Sequence, residues 1–320
     1  MTEVLHGALS IDPPLDRSVV TVGTFDGVHR GHQALVEAAL DRAGGLDRAD
    51  ARRRPVVAYT FHPHPATLFA PRAPKTLMPL DRRVAALRTA GADRVLVEPF
   101  DRAFAAVDAD DWVRRYLVER LRPSHVVIGF NFTYGRGRGG NPDHLRKKGT
   151  EHGFDVVVVD PVMVAGRVAS SSEVRRAVEA GDVGLARELL GRPFAVIGEV
   201  VSGDGRGRTI GFPTANIAPE HEQLPARGVY ASWLELLEGP RRGDRLRSVT
   251  NVGVRPTFDG EAVRVETHAL DETPDLYGVR VAVHLLERIR EERSFPGPDA
   301  LSAQIARDVA RARAVLEASR

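Results

Sequence analysis

Residues 18–40, SVVTVGTFDGVHRGHQALVEAAL, join an apolar run to an amphipathic helical pattern through a loop that holds Gly23, Gly27 and Gly31. A strand that feeds a glycine-rich turn and then a helix is the opening βα unit of a parallel sheet. In such sheets ligands bind beyond the carboxyl ends of the strands, and the helix N-terminus offers free N–H groups and its positive dipole end to an anion. His29 and His32 sit three residues apart at that end. Two imidazoles there can donate hydrogen bonds to phosphate oxygens, and such bonds strengthen as charge builds on a leaving group. Two plainer readings stand beside this one: polar surface histidines near a helix start, or a zinc cluster of His29, His32, His62 and His64. Prolines surround the last two in FHPHP, and nothing in the spacing fixes them as ligands.

Outward from this stretch the alternation continues. RPVVAYTF, DRVLVEPF, HVVIGF and FDVVVVDPV read as strands, separated by the helical patterns DRRVAALRTAG, DDWVRRYLVERLR and DHLRKKGTEHG. Continuous apolar strands between amphipathic helices predict a doubly wound α/β domain with a parallel, Rossmann-like sheet covered on both faces. SSSEVRRAVEAGDVGLARELLG follows as two short helices around a Gly-Asp turn, stopped by Gly191 and Pro193. After Phe194 the pattern changes. AVIGEVV, GVYASWLELLE, RSVTNVGV, VRVETHAL and VRVAVHLLERIR are strand-like and joined by Gly/Pro/Asp-rich loops, which predicts a small antiparallel β-barrel. The tail LSAQIARDVARARAVLEA places Leu301, Ile305, Val309, Ala312 and Leu316 on one helical stripe, expected to pack on the barrel. The expected domains are 1–187 and 188–320.

Composition bounds the function. With 320 residues, 42% hydrophobic and 28% charged, the chain is globular and long enough for two domains. Lys and Arg (45) barely exceed Asp and Glu (43), giving +2, which argues against a general nucleic-acid partner while leaving room for a local phosphate pocket. There is no cysteine, so thiolate nucleophiles and cysteine zinc sites are excluded. No basic segment followed by a long apolar one opens the chain, and no run of about 18 apolar residues occurs, so the expectation is a cytoplasmic protein without a membrane partner. A homo-oligomer is compatible with the sequence.

In the second half, GDGRGRTIGFPTANI surrounds Arg206 and Arg208 with Gly203, Gly205, Gly207 and Gly211, which suits a loop closing on phosphates. Thr214 and Asn216 alternate with Pro213 and Ala215, so in an extended segment both polar side chains share a face. A hydroxyl beside an amide oxygen makes a hard oxygen corner suited to Mg²⁺, although Thr-Ala-Asn alone reads equally as a turn. In VRVETHAL, Glu266 lies on the face opposite Val263 and Val265. It is either a base for an alcohol proton or an exposed partner of Arg264 or His268.

GTFDGVHRGH resembles the His-x-Gly-His signature of nucleotidyltransferases, shared with aminoacyl-tRNA synthetases, although this chain lacks their second lysine-rich ATP loop. With FHPHP, GFNFTYGRGRGG and ASSSEVRRAV, the first half resembles the adenylyltransferase module of bacterial bifunctional riboflavin kinase/FAD synthetase. GFPTAN, GVYASW, NVGVRPTF, VETHALD and ERIREERSF resemble its riboflavin kinase module. The resemblance implies phosphorylation of riboflavin to FMN by Mg·ATP in the barrel, then transfer of AMP from a second ATP to FMN in the first domain, giving FAD. It implies ATP contacts from Gly23, Phe25, Asp26, His29 and His32, and from Ser171, Ser172 and Arg175, with serine at 172 where threonine is usual. In the barrel it implies ATP contacts from Gly205, Arg208, Gly211, Thr214 and Asn216, with Thr214 and Asn216 on Mg²⁺ and Glu266 as catalytic base. Flavin contacts are implied for Pro63, Pro65, Asn131, Arg290 and Phe295; Asn131 and His62 stand where many members have Asp. A flavin-binding protein retaining only the kinase activity is the alternative.

Overall fold

Among the described residues, six parallel strands form one sheet in the order β1-β4-β3-β2-β5-β6: β1 (Glu3–His6), β2 (Ser18–Val22), β3 (Val56–His62), β4 (Arg94–Pro99), β5 (Pro123–Gly129) and β6 (Asp155–Val159). The computed structural model describes residues 3–44, 53–70, 73–203, 207, 211–257 and 260–319, with backbone only at 255–257 and 260–262. β2 is buried at every position, as its unbroken Val-rich run demands in the centre of a sheet covered on both faces. Val20, Val22, Val57, Leu96, Val126 and Ile128 share a core with Trp112, Val113 and Leu117. Each such fully buried side chain contributes about 1.5–3 kcal/mol.

The helices of this half are α1 (Arg30–Ala43), α2 (Ala66–Phe69), α3 (Leu80–Thr89), α4 (Arg102–Ala105), α5 (Ala109–Asp111) and α6 (Pro142–His152). Local chemistry sets the ends of α6: Asn141 accepts from His144 N at 2.9 Å, Pro142 opens the first turn, and Gly153 stops it at φ 77°. The pattern DDWVRRYLVERLR, expected as one α-helix, is instead α5 followed by a π-helical run, Trp112–Leu121, ending with Arg122 N donating to Leu117 O five residues back. The polar edge strand β1 was not legible either, because nothing in EVLH itself requires a partner.

The chain divides into two compact units, Met1–Pro74 with Leu80–Ser170, and Lys75–Pro79 with Ser171–Arg320. The expected boundary at 187/188 falls within α8 (Val183–Leu190), which packs with α7 (Ser171–Ala180) and against the barrel strand Arg280–Arg290. The second unit is a closed barrel in the order β10-β13-β12-β11-β14-β9. Its strands are β9 (Phe194–Val201), β10 (Ala215–Pro219), β11 (Gly228–Leu236), β12 (Arg245–Thr257), β13 (Gly260–Ala269) and β14 (Arg280–Arg290), all antiparallel to their neighbours. A short hairpin, β7 (Met163–Val164) and β8 (Arg167–Val168), precedes α7. Neither this hairpin nor β10 was expected as strand.

The barrel encloses a chain of hydroxyls. Ser232 meets Ser248 and Thr250 at 2.8 Å each, and Thr250 meets Thr267 at 2.9 Å, so each buried donor finds an acceptor. The C-terminal helix α9 (Pro298–Ala318) covers the outer face through Ala312 and Leu316 against Val229, Ala231, Val249 and Leu286. The expected apolar stripe is corrected at its N-terminal half, where Gln304 and Asp308 are buried and Leu301, Ile305 and Val309 are only half-buried. Three arginines account for this: Arg290 and Arg293 from the strand end, and Arg307, all bond to that pair.

Candidate active sites

In the first unit, the pairing of β2 continues one step past its end, with Gly23 N donating to Tyr59 O at 3.1 Å. The chain then turns through three left-handed residues, Phe25 (φ 52°), Gly27 (φ 84°) and Val28 (φ 41°), closed by Val28 N to Phe25 O at 3.0 Å. Left-handed backbone at a non-glycine residue costs about 1–3 kcal/mol and collects at ligand-binding turns. Phe25, Asp26 and Val28 are nevertheless buried, so packing holds the strain in place. Gly31 is required by contact: a Cβ there would lie 2.9 Å from Ala169 O and 3.1 Å from the His29 ring.

His29 caps α1. Its Nδ1 accepts from His32 N at 3.3 Å, so the proton of the neutral ring is carried on Nε2. The rings of His29 and His32 stack with centroids 3.6 Å apart, and Phe25 meets His32 edge-on at 5.1 Å. The two imidazoles therefore sit as a pair over the N-terminus of a fourteen-residue helix, where the helix also favours negative charge.

β3 and β5 are the two neighbours of β2, so the segments leaving their carboxyl ends flank this loop. His62 ends β3 and Pro63 and Pro65 follow it, while Asn131 follows β5. Desolvation first, and the charge of Arg83 second, hold the His62 imidazole below its ordinary value. His64 Nδ1 accepts from Ala66 N, at the start of α2, at 3.1 Å. No three of His29, His32, His62 and His64 group to hold a metal, and among the described residues no such cluster of His, Cys, Asp or Glu occurs. Ser171, Ser172 and Arg175 lie in the first turns of α7, in the second compact unit, where Arg175 Nε donates to Lys75 O at 2.6 Å.

In the barrel, register brings together residues far apart in sequence. Asn216 on β10 pairs with Glu266 on β13, which pairs with Asn251 on β12. Directly paired residues share a face, and this one is also the face of Val249, which packs under α9. Arg264 is 3.4 Å from Glu266 and donates to Asn216 Oδ1 at 3.1 Å, so both readings of Glu266 meet here: it has an arginine partner and it stands beside the oxygen corner. Thr214 immediately precedes β10. Gly203 is packed so closely that a Cβ would fall 2.1 Å from Asn216 Nδ2. His268 Nδ1 donates to Pro213 O, 2.7 Å away, and the ring packs edge-on against Phe212, fixing the turn before Thr214. Gly211 adopts φ 84°, while Gly205 and Arg208 lie outside the described residues.

Asn251, within the strand-like RSVTNVGV, carries no signal of its own in the sequence; only its pairing with Glu266 marks it. The Glu292 carboxylate lies close against Gly253, where a Cβ would fall 2.2 Å from Oε1. Arg290 forms a two-pronged ion pair with Asp308, at 3.0 Å and 2.8 Å to Oδ2, and its guanidinium stands 5.6 Å from the centre of the Phe295 ring. Arg293 covers the same ring at 5.0 Å. Arg290 and Phe295 are thus brought together, with the arginine anchored to α9.

Two family models match the chain in tandem, FAD synthetase over residues 12–173 and riboflavin kinase over residues 190–316. A bifunctional riboflavin kinase/FMN adenylyltransferase of Escherichia coli strain K12 is 42% identical over 302 residues, covering 94% of this chain and 93% of the relative. One from Pseudomonas fluorescens is 36% identical, covering 98% and 97%. A solved structure described as a macrolide-efflux protein from Streptococcus pneumoniae matches with a TM-score of 0.85 at 32% identity, covering 97% of this chain and 98% of that one. Among the described residues, no helix is long and apolar enough to cross a membrane. With a tandem match across both halves and relatives of this identity along nearly the whole length, the chain belongs to the bifunctional riboflavin kinase/FMN adenylyltransferase family.

Proposed function

We propose that the chain makes FAD from riboflavin in two ATP-dependent transfers, each in its own module. Residues 188–320 are assigned to riboflavin phosphorylation and residues 1–187 to adenylyl transfer. The observation that carries this reading is that each compact unit holds its own nucleotide-type constellation: the stacked His29–His32 pair at a helix N-terminus, and the Asn216–Glu266–Asn251 row on the barrel.

In the barrel, Glu266 accepts the proton of the ribityl 5′-hydroxyl as that oxygen attacks the γ-phosphorus of ATP, and ADP leaves. Thr214 and Asn216 are the residues that would hold Mg²⁺ and ATP phosphates, with Gly205, Arg208 and Gly211 contributing from the preceding loop. The donors fit that ion: they are hard oxygens, too few for a protein cage, and Mg²⁺ takes most of its shell from phosphates and water. Asn216 Oδ1 keeps a second lone pair beside its bond from Arg264. The ion supplies neutralisation of phosphate charge. Arg290 and Phe295 are assigned to the flavin side.

In the first module, an oxygen of the FMN phosphate attacks the α-phosphorus of a second ATP, and the bond to diphosphate breaks. The nucleophile is already ionised, so the protein's task is alignment and stabilisation of charge on the diphosphate. His29, through Nε2–H, and His32 supply donors, and Gly23, Phe25 and Asp26 shape the turn. Ser171, Ser172 and Arg175 are assigned to ATP, and Pro63, Pro65 and Asn131 to flavin. The ATP requirement supports a cytoplasmic setting.

A chromatographic time course with riboflavin, ATP and Mg²⁺, repeated from FMN, tests the reading. FMN rising and then giving way to FAD is the expected result. FMN alone would confine the chemistry to the barrel.

A further inference from the structure

Among the described residues, the largest fully buried side chain is charged. Arg83 lies on α3, 2% exposed, on the same inward face as Val84 and Leu87, where helical spacing calls for an apolar residue. A leucine or methionine would fill that position without the desolvation of a cation, so packing alone does not account for an arginine. Its hydrogen bonds do. Nη1 donates to Thr24 O at 3.1 Å and to Phe61 O at 3.0 Å, with Thr60 Oγ1 at 3.5 Å. Thr60 Oγ1 itself donates to Thr24 O at 2.9 Å. Burial pushes the guanidinium down from its ordinary value while the charge of fully buried Asp26 pulls it up.

The two carbonyls belong to different parts of the adenylyl site. Thr24 lies in the turn between Gly23 and the strained Phe25, which leads to His29, whereas Phe61 directly precedes His62 and Pro63 on the segment assigned to flavin. One guanidinium nitrogen thus ties the chain leaving β2 to the chain leaving β3. Planar, with five donors and always charged, this group can serve both carbonyls at once, which a lysine ammonium on a flexible stem does less well.

We propose that Arg83 is a positioning residue for adenylyl transfer, fixing the turn that presents His29 and His32 relative to the segment that receives the flavin. It touches neither substrate; it sets the alignment of the FMN phosphate with the α-phosphorus of ATP. Misplacement by about 1 Å costs on the order of 100-fold in rate, which is the size of effect expected here. The inference rests on the adenylyl activity proposed above.

The test uses the full chain with Arg83→Met, Arg83→Lys and Thr60→Val. FMN adenylylation is measured as kcat and KM, normalised to ATP-binding stoichiometry by calorimetry, beside riboflavin phosphorylation in the same preparation. Arg83→Met is expected to lose about 100-fold in adenylyl kcat, with KM values changed far less and phosphorylation kept. Arg83→Lys is expected to recover part of the loss, and Thr60→Val, which removes one link only, to lose less than Arg83→Met. An adenylyl kcat for Arg83→Met near the parent's, a loss confined to KM, or equal loss of both activities overturns the proposal. If Arg83→Met does not fold, Thr60→Val decides: a lower kcat supports it and an unchanged kcat overturns it. A parent that makes no FAD from FMN would instead overturn the functional reading, so the two failures are distinguishable.

Discussion

The imidazoles of His29 and His32 lie face to face, ring centroids 3.6 Å apart and planes 24° from parallel, because one caps the helix whose first turn carries the other. His32→Ala removes a donor without removing the cap. FAD formation from FMN is expected to fall about 10²–10³-fold, by analogy with losing one oxyanion donor, while FMN formation is kept. Equal loss of both activities in the time course would contradict independent modules.

His29 has two tasks that substitution separates. His29→Ala should lose adenylyl activity and also about 1 kcal/mol of stability, since Nδ1 no longer accepts from His32 N. His29→Asn restores a capping acceptor but not the imidazole, so thermal denaturation should return to the parent's midpoint while FAD formation stays low. Lowered midpoints in both variants would mean that the cap contributes nothing.

Glu266→Gln keeps the shape of the paired row and removes the proton acceptor. Riboflavin phosphorylation is expected to fall about 10²–10⁴-fold, and FAD formation from supplied FMN to continue. Unchanged phosphorylation would leave Glu266 as no more than the ion-pair partner of Arg264.

Gly203→Ala places a methyl 2.1 Å from Asn216 Nδ2, a side-chain end that can swing away. Stability should therefore change little, while the KM for Mg·ATP in phosphorylation rises about tenfold, the equivalent of one lost charge-assisted contact of ~1.4 kcal/mol. A normal KM, read from initial rates, would show that Asn216 is not needed where it stands.

Glu98 is buried, its Oε2 accepting from Ala8 N at 2.8 Å and from the Tyr59 hydroxyl at 2.7 Å, yet burial outweighs these bonds and pushes its carboxyl up. A raised carboxyl pKa means that the folded state binds more protons than the unfolded one. Stability from this group is therefore greatest below the unfolded value of about 4.5 and declines as pH rises through the folded value. Glu98→Gln should flatten that decline in denaturant titrations across the window above pH ~4.5. An unaltered slope would place the pH dependence elsewhere.

The central strands and the helices were legible because their own residues demand burial. SVVTV and VVAYTF have no solvated face to present, and α1 carries its apolar positions at helical spacing. β1 and β10 escaped notice because EVLH and ANIAP become strands only through a partner, β4 for one and β9 with β13 for the other. The same limit applied to α9: the stripe read from Leu301 to Leu316 assumed that the barrel offers an apolar surface throughout. It offers Arg290 at one end, and Asp308 is buried to meet it.

For the candidate sites, the sequence by itself determined which residue types are at hand: two histidines at a glycine-rich helix start, a threonine and an asparagine around the start of a strand, and a carboxylate on an alternating strand. These are properties of short stretches, where residue type and spacing act directly on the backbone. Only the tertiary structure decided that Asn251 joins Glu266 and Asn216, that Glu292 lies against Gly253, and that Arg83 is buried on the carbonyls of Thr24 and Phe61 rather than in the solvent. Strand register and burial are relations between segments up to tens of residues apart. They are set by what the whole core can pack and hydrogen-bond, and no single stretch contains that information.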